Sequence, residues 1–163
     1  MANWGYYNSV EASLIDYLTT SLSGYTDIAG NSVSIYSAGR DKSDWNLPVI
    51  TVDATSFNIQ RFEIGSVQKI DAPVIIIDIY NLTKFDRLIL AKLVTDYVNS
   101  GWPYYDYSDT VDNPDSPTKV ANGRIRVQSF LENDKVILGQ NIDKFDKFRH
   151  RISLSVEKTG SGS

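Results

Sequence analysis

The longest apolar run in the chain lies at residues 74–80, where nearly every side chain is β-branched or aromatic. A run without polar alternation is typical of a strand that is covered on both faces. Apolar residues at helical spacing follow shortly afterwards, at Leu90, Leu93, Val94, Tyr97 and Val98. They form one stripe of a helix that ends at Asn99-Ser100-Gly101. The pattern therefore predicts a central strand that leads directly into an amphipathic helix.

The start of this helix is predicted at Thr83, whose hydroxyl can accept a hydrogen bond from the backbone N–H of Asp86. Phe85, Leu88 and Ile89 lie outside the main apolar stripe and form a second apolar patch on the N-terminal half of the helix. Another surface has to cover this patch. We favour the other helix of the same domain as its cover, and a neighbouring subunit is the alternative.

The residue pattern in the N-terminal part of the chain predicts a helix followed by strands. Asn8 and Glu11 resemble a capping box, and apolar residues keep helical spacing from there to Gly24. The period then changes to two, which indicates strands. The predicted strands are Val33–Ile35, Val49–Ala54, and one that runs from Phe57 towards Ile64.

The C-terminal part predicts a long loop and two further strands. Residues 102–123 contain three prolines, several aspartates and no usable period, which indicates an irregular segment. Strand patterns follow at Arg124–Leu131 and Phe148–Glu157, with a turn predicted at Glu132–Lys135. Residues 159–163 are predicted to form a flexible tail. Runs of strands with two helices predict a single α+β domain over residues 1–158, a mainly antiparallel β-sheet with both amphipathic helices packed on one face.

Composition and charge narrow the classes of function. The net charge is −4, and residues 1–123 carry 8 Lys and Arg against 15 Asp and Glu, whereas residues 124–163 carry 8 against 5. An acidic body argues against a general nucleic-acid binder, which needs a basic surface. Cysteine is absent, so neither disulfides nor thiolate metal sites are available. No apolar run reaches transmembrane length and no signal-peptide pattern is present, which predicts a soluble protein made in a cytoplasm, without membrane contact.

The sequence carries no motif of a known catalytic or cofactor site. His150 is the single histidine and stands between Arg149 and Arg151 in a strand pattern, where we predict a surface residue rather than a catalytic base. Asp106, Asp109, Asp112 and Asp115 recur at every third position, which does not match an EF-hand loop. We interpret them as a solvated acidic loop, with Ca²⁺ binding as the alternative. The prediction is no enzyme, no metal and no cofactor, although a site assembled across strands stays open.

Surplus aromatics, opposed charges and the second apolar patch favour self-association. The chain has ten Tyr and three Trp, residue types that are enriched at interfaces, although a Tyr-rich sheet face would also explain them. The acidic loop of one subunit would face arginines of the next. The candidate interface residues are Phe85, Leu88, Ile89, Trp102, Tyr104, Tyr105, Asp109, Asp112, Asp115, Arg124, Arg126, Arg149 and Arg151.

The order of elements resembles the tail-completion or tail-terminator (neck) proteins of tailed bacteriophages. After an N-terminal helix come a short strand at Ser34-Ile35-Tyr36 and a strand of proline followed by aliphatic residues at Leu47–Val52. A strand that ends in Ile77-Asp78-Ile79-Tyr80 then runs into the helix at Thr83–Asn99. The resemblance extends over roughly residues 8–157 as an order of elements.

The resemblance implies a structural virion protein of the tail or neck, assembled in the host cytoplasm. Such proteins form a ring, commonly a hexamer, that ends the growth of the tail tube and joins it to the head-tail connector protein. DNA would pass through the ring without specific binding, and an acidic balance suits that role because carboxylates repel phosphate. The alternative is a monomeric ligand-binding module or a small enzyme with a site formed across strands, for which Trp102–Tyr107 would be a ligand platform.

Overall fold

Two helices and six strands make up the described part of the chain. The computed structural model describes residues 4–38, 45–61, 69–108, 118–135 and 149–159. The helices are α1 (Trp4–Ser21) and α2 (Lys84–Asn99). The strands are β1 (Ser34–Ser37), β2 (Val49–Arg61), β3 (Lys69–Tyr80), β4 (Trp102–Ser108), β5 (Thr118–Lys135) and β6 (Arg149–Thr159). The α+β class predicted from the order of elements is confirmed.

The strands form one mixed sheet in the order β1-β2-β3-β6-β5-β4. Strand β1 runs parallel to β2, and every other neighbouring pair is antiparallel. Strand β3 lies between β2 and β6, so the central position predicted from its unbroken apolar run is confirmed. The sheet therefore brings β6, the last strand of the chain, into its middle and places β4 and β1 at its edges.

The core lies between the sheet and both helices. Alternate residues of the central strands point towards the helices and are fully buried, as with Ile75, Ile77 and Ile79 of β3. Helix α1 packs over β1, β2 and β4, and α2 packs over β3, β5 and β6, so the prediction of both helices on one face is confirmed. Complete burial of one such side chain contributes about 1.5–3 kcal/mol. These contacts hold α2 in a fixed position across β3, β5 and β6.

Helix α1 closes one edge of the sheet with two serine hydroxyls. Ser13 Oγ accepts a hydrogen bond from Tyr105 N at 3.0 Å and donates one to Tyr105 O at 3.3 Å. Ser9 Oγ accepts from Tyr107 N at 3.2 Å. These outward-facing backbone groups of β4 would otherwise be open to pairing with another strand. These backbone groups at the β4 edge therefore find their hydrogen-bond partners within the chain.

The prediction of a loop over residues 102–123 is wrong at both ends of that segment. Residues 102–108 form β4 and residues 118–123 belong to β5, and the two segments pair in antiparallel register. Gly101 makes the bend before β4 possible, because its φ is +75° and a Cβ there would lie 2.7 Å from Ile125 O. The register also shifts between Pro103 and Tyr105, so the irregular sequence is absorbed by a bulge.

Several other boundaries differ from the predictions. Helix α1 begins at Trp4, so Asn8 lies inside the helix and does not cap it. Strand β5 continues to Lys135, so the turn predicted at Glu132–Lys135 is wrong. Strand β2 is continuous where two strands were predicted, and β6 extends to Thr159, the first residue of the predicted tail. Bulges in β2 and β5 shift the phase of side-chain alternation, which makes one long strand look like two short ones.

Candidate subunit interface

The N-terminus of α2 is built as the sequence predicts. Thr83 has an extended backbone, and its Oγ1 accepts a hydrogen bond from Asp86 N at 3.2 Å. Asp86 is buried and returns a contact, because one of its oxygens accepts a hydrogen bond from Thr83 Oγ1 at 2.8 Å. Its other oxygen accepts from Ile28 N at 3.4 Å, which ties the turn after α1 to this helix. The first turn of α2 is therefore held in a fixed position.

Four large apolar side chains are exposed on this turn and the next. We call them the α2 patch: Leu82 is 59% exposed, Phe85 64%, Leu88 48% and Ile89 39%. The favoured expectation, that α1 covers Phe85, Leu88 and Ile89, is wrong. Helix α1 meets α2 at the opposite end, where Tyr17 donates a hydrogen bond to Tyr97 O at 3.1 Å. The α2 patch is an exposed apolar surface on the part of the chain that the structure describes.

A buried cation lies beside the α2 patch. Arg87 is 5% exposed, and its Nη1 donates a hydrogen bond to Asn81 O at 3.2 Å. Among the described residues it forms no ion pair, and burial lowers its pKa. The neighbouring Asp86 binds Thr83 and Ile28 instead. A desolvated guanidinium without a carboxylate partner is unusual, because burial of a charge is costly unless the charge is paired.

A groove runs between α2 and the strands β5 and β6. It has a volume of about 290 Å³ and is lined by Leu88, Lys92, Thr95, Asn133 and His150, among others. His150 Nε2 lies 2.7 Å from Asn133 Oδ1, and Asn133 Nδ2 donates to Thr95 Oγ1 at 3.1 Å. Since the Asn133 amide donates through nitrogen, its oxygen accepts, and His150 carries its proton on Nε2. The groove therefore continues the α2 patch into a polar cleft.

His150 is not the surface residue that we predicted. It is 6% exposed, and its Nδ1 has no hydrogen-bond partner in the described part of the chain. Burial lowers the pKa of His150, and the charge of Arg87 acts in the same direction, whereas Asp134 and Glu132 oppose it. The histidine is therefore held neutral, on the same face of β6 as the buried Ile152.

A second exposed surface lies on β5. We call Leu131 and Glu132 the β5 patch; Leu131 is 57% exposed, whereas Phe130, 37% exposed, pairs with the core residue Leu154 and lies on the helix face. Glu132 is exposed and makes no hydrogen bond or ion pair with any described residue, although its charge acts on His150 and Arg151. Glu132 pairs in register with Ser153, which points away from the helices. The Glu132 carboxylate and the α2 patch therefore lie on different faces of the sheet.

The aromatic candidates belong to the core and not to a surface. Trp102 is fully buried and Tyr104 is 1% exposed, and both contact the main hydrophobic cluster. Tyr105 is partly buried beneath Lys119, whose Nζ lies 4.7 Å from the ring centroid. Trp102 and Tyr104 were predicted at an interface because aromatics are favoured there, but alternation along β4 points both of them towards α1. That assignment is corrected.

The charged candidates divide into three groups. Arg124 and Arg126 are exposed on β5. Arg151 is occupied by a two-pronged contact with Asp78, at 2.9 and 3.1 Å, and Arg149 Nη1 lies 3.5 Å from the Tyr80 hydroxyl. The aspartates at 109, 112 and 115 lie outside the described residues. The ion-pair contact proposed between the acidic loop and these arginines therefore stays a prediction.

Sequence reasoning missed part of both patches. Leu82 precedes Phe85 by three positions and Ile89 by seven, so the helical spacing used for α2 would have included it if extended before the cap. Glu132 was assigned to a turn because it opens the polar run ENDK. The pattern of apolar residues gives no signal for the burial of Arg87. Its guanidinium donates to Asn81 O, in the segment just after β3.

Comparison with known proteins assigns no family. A scan against models of protein families finds no match, and a search of curated proteins finds none. Neither described helix is long and apolar enough to cross a lipid bilayer. Within the described ranges, no three acidic or histidine side chains are grouped as metal ligands.

Proposed function

We propose that this protein is a structural subunit of a tailed-phage neck, which self-associates into a ring that terminates the tail tube and joins it to the head connector. The α2 patch carries the proposal. Four large apolar side chains, one just before the cap of α2 and three on its first two turns, remain exposed although the described chain has a core of its own. Exposed apolar surfaces of this kind mark sites of association in soluble proteins.

The placement of the two patches supports a ring more than a two-fold dimer. A two-fold dimer uses the same surface on both subunits, whereas the α2 patch and the Glu132 carboxylate lie on different faces of the sheet. Contact between two different surfaces is head-to-tail, and it closes into a ring when the rotation between subunits divides the circle. Hexameric closure comes from the resemblance to neck proteins.

The closed β4 edge and the charge distribution agree with this role. Because Ser9 and Ser13 satisfy the outer backbone groups of β4, uncontrolled strand pairing at this edge is prevented. The net charge of −4 suits a channel through which DNA slides, since fixed carboxylates repel phosphate. The head connector and the tail tube would provide the two axial contacts of the ring.

The competing class is a monomeric ligand-binding module or a small enzyme with a site formed across strands. It relied on Trp102–Tyr107 as an aromatic platform for a ligand. Trp102 and Tyr104 point into the core, and Tyr105 and Tyr107 have backbone N–H groups bonded to α1. No observation on the described residues favours this alternative over association.

The test is assembly of the purified chain and of a patch variant. Sedimentation velocity and negative-stain electron microscopy of the wild type should give a closed ring. Phe85→Asp places a charge in the proposed contact and should weaken association by about 100-fold or more, because an unpaired charge would be buried. Phe85 is 64% exposed in the single chain, so circular dichroism and Tm should stay close to wild type.

Val120→Asp is the matched control. Val120 is also a large exposed apolar residue, at 61%, but it lies on the part of β5 that pairs with β4 and outside the α2 patch. Its substitution should leave assembly unchanged. A folded Phe85→Asp chain that assembles like the wild type would remove the α2 patch from the interface, and a wild type that forms no closed species would refute the ring.

A further inference from the structure

Two charged side chains without an ion-pair partner among the described residues have opposite signs and lie next to exposed apolar residues. Arg87 is a buried cation without a carboxylate partner, beside Phe85 and Leu88 of the α2 patch. Glu132 is an exposed carboxylate without a hydrogen bond or ion pair to described residues, beside Leu131. The first surface therefore combines a buried cation with two apolar side chains, and the second combines a carboxylate with one.

We propose that Arg87 is a receptor for the Glu132 carboxylate of the next copy of this chain, with Leu131 packed on the α2 patch. This inference rests on the proposed self-association and names the residues that set its partner and direction. The guanidinium would donate to a carboxylate that enters from outside, while Nη1 keeps its bond to Asn81 O. The contact pairs the helix side of one subunit with the opposite face of the next.

Glu132 is the best-placed carboxylate among those described. The other exposed acids are engaged within the chain: Asp96 pairs with Lys92 at 2.9 Å, Asp106 accepts from Asn122, and Asp134 also has a partner. No donor on the described residues occupies the Glu132 carboxylate, so its oxygens can accept from another molecule. Leu131 next to it is the extra residue of a β-bulge, which pushes the strand outwards at this point.

Because Arg87 is already desolvated in the folded single chain, it should be selective for an acidic partner. The cost of removing its charge from water is incurred when the single chain folds, so a carboxylate partner regains electrostatic energy without a second desolvation of the cation. A neutral or basic side chain at the same point would leave the cation unpaired. The arrangement therefore favours one acidic partner and disfavours incorrect registers of the same apolar surfaces.

The test uses Arg87→Met, which keeps an apolar stem and removes the charge, and Glu132→Gln, which keeps the shape of an exposed side chain. Each variant should lower the association constant by about 10- to 100-fold in sedimentation equilibrium, because one partner of a desolvated charge pair is lost. Lys92→Gln and Asp106→Asn are the controls, since the first removes a cation from the same helix as Arg87 and the second removes an exposed carboxylate from β4, the strand next to β5. They should change association by less than about 2-fold.

The thermal stability of Arg87→Met separates a binding role from a structural one. If Arg87 serves the partner, removal of an unpaired desolvated charge leaves the Tm of the monomer unchanged or higher. If it serves the fold through Asn81 O, the Tm falls by several degrees, on the order of 4 °C. A lowered Tm with unchanged association would overturn the inference. Glu132→Gln decides the matter if Arg87→Met does not fold, because an exposed residue does not affect the core.

Mixing the two variants tests the pairing directly. A subunit with Glu132→Gln keeps Arg87, and a subunit with Arg87→Met keeps Glu132, so each mixed pair contains one intact contact. An equimolar mixture should therefore form heterodimers more tightly than either variant alone forms homodimers, and the ring does not form. In a double-mutant cycle the two effects should be strongly non-additive.

The outcomes separate this contact from the ring. A wild-type ring that Phe85→Asp abolishes, but that neither charge variant weakens, leaves the ring standing and refutes the Arg87–Glu132 contact. Open chains of mixed length that both charge variants dissolve support the contact and refute the ring. A wild type that is monomeric up to about 1 mM refutes both, since even a weak specific contact would be populated at that concentration.

Discussion

At the scale of single residues, the unexpected side chains are two polar groups that the fold buries. Arg87 donates to the backbone oxygen of Asn81, just after β3, and His150 on β6 contacts Asn133 on the neighbouring strand β5. Polar residues of these types are usually exposed, so sequence reasoning places them at the surface. Their burial cannot be predicted without knowing which strand follows which in the sheet.

Stability should depend on pH through His150. Burial lowers its pKa in the folded chain, while an unfolded chain has the ordinary value of about 6.5. The unfolded state therefore binds the proton first, and the free energy of unfolding should fall as pH drops through 6.5 towards the lowered pKa. The charges near the ring are Arg87, which acts with burial, and Asp134 and Glu132, which act against it.

The comparison is urea unfolding of the wild type and of His150→Gln between about pH 7 and pH 5. Gln keeps a donor for Asn133 Oδ1 but does not titrate. The wild type should lose stability faster than the variant as pH falls. Parallel curves for the two proteins would mean that His150 is protonated equally in both states.

At the scale of elements, local sequence patterns were sufficient to predict β3 and α2. They were insufficient to predict β2 and β5, the strands that contain bulges. The unbroken run of β3 and the cap of α2 each lie within about ten residues, and both predictions are confirmed. The bulges in β2 and β5 depend on pairing with β3 and β6, and local periodicity does not contain that information. Phe85, Leu88 and Ile89 of the α2 patch were found from the sequence. The prediction that α1 covers them was wrong.

The Thr83 cap should be measurable in isolation from the interface. Thr83→Ala removes the acceptor for Asp86 N and should lower the free energy of unfolding by about 1 kcal/mol. Thr83→Ser keeps the hydroxyl and should cost only a small part of that. Chemical denaturation of both variants gives the comparison, and an Ala variant as stable as the Ser variant would show that the cap hydrogen bond contributes nothing.

At the scale of the whole molecule, opposed charges on separate surfaces should make assembly sensitive to salt. Arg124 and Arg126 are exposed on β5, and the predicted partners include Asp109 and Asp112. Exposed ion pairs are individually weak, about 0–1 kcal/mol, and are screened over roughly 8 Å at physiological salt. Repeated at every subunit contact, they should still influence the rate of association.

The double variant Arg124→Gln and Arg126→Gln should associate more slowly than the wild type at low salt, by about 10-fold. The difference should largely vanish at about 0.5 M salt, where screening already removes the attraction. Light scattering after dilution from a dissociating condition follows the rate. Equal rates for both proteins at every salt concentration would remove these arginines from the assembly pathway.

The serine contacts between α1 and β4 also set an order of events during synthesis. Helix α1 leaves the ribosome first, but Ser9 and Ser13 bond to residues that lie 98 and 92 positions later in the chain. At ~5–20 residues per second, these partners appear roughly 5–20 s after the helix. Until then the helix has no strand to shield, and once β4 emerges the helix is already present to shield it. We therefore expect the β4 edge to be covered as soon as β4 can dock, which would limit strand-mediated aggregation of the nascent chain.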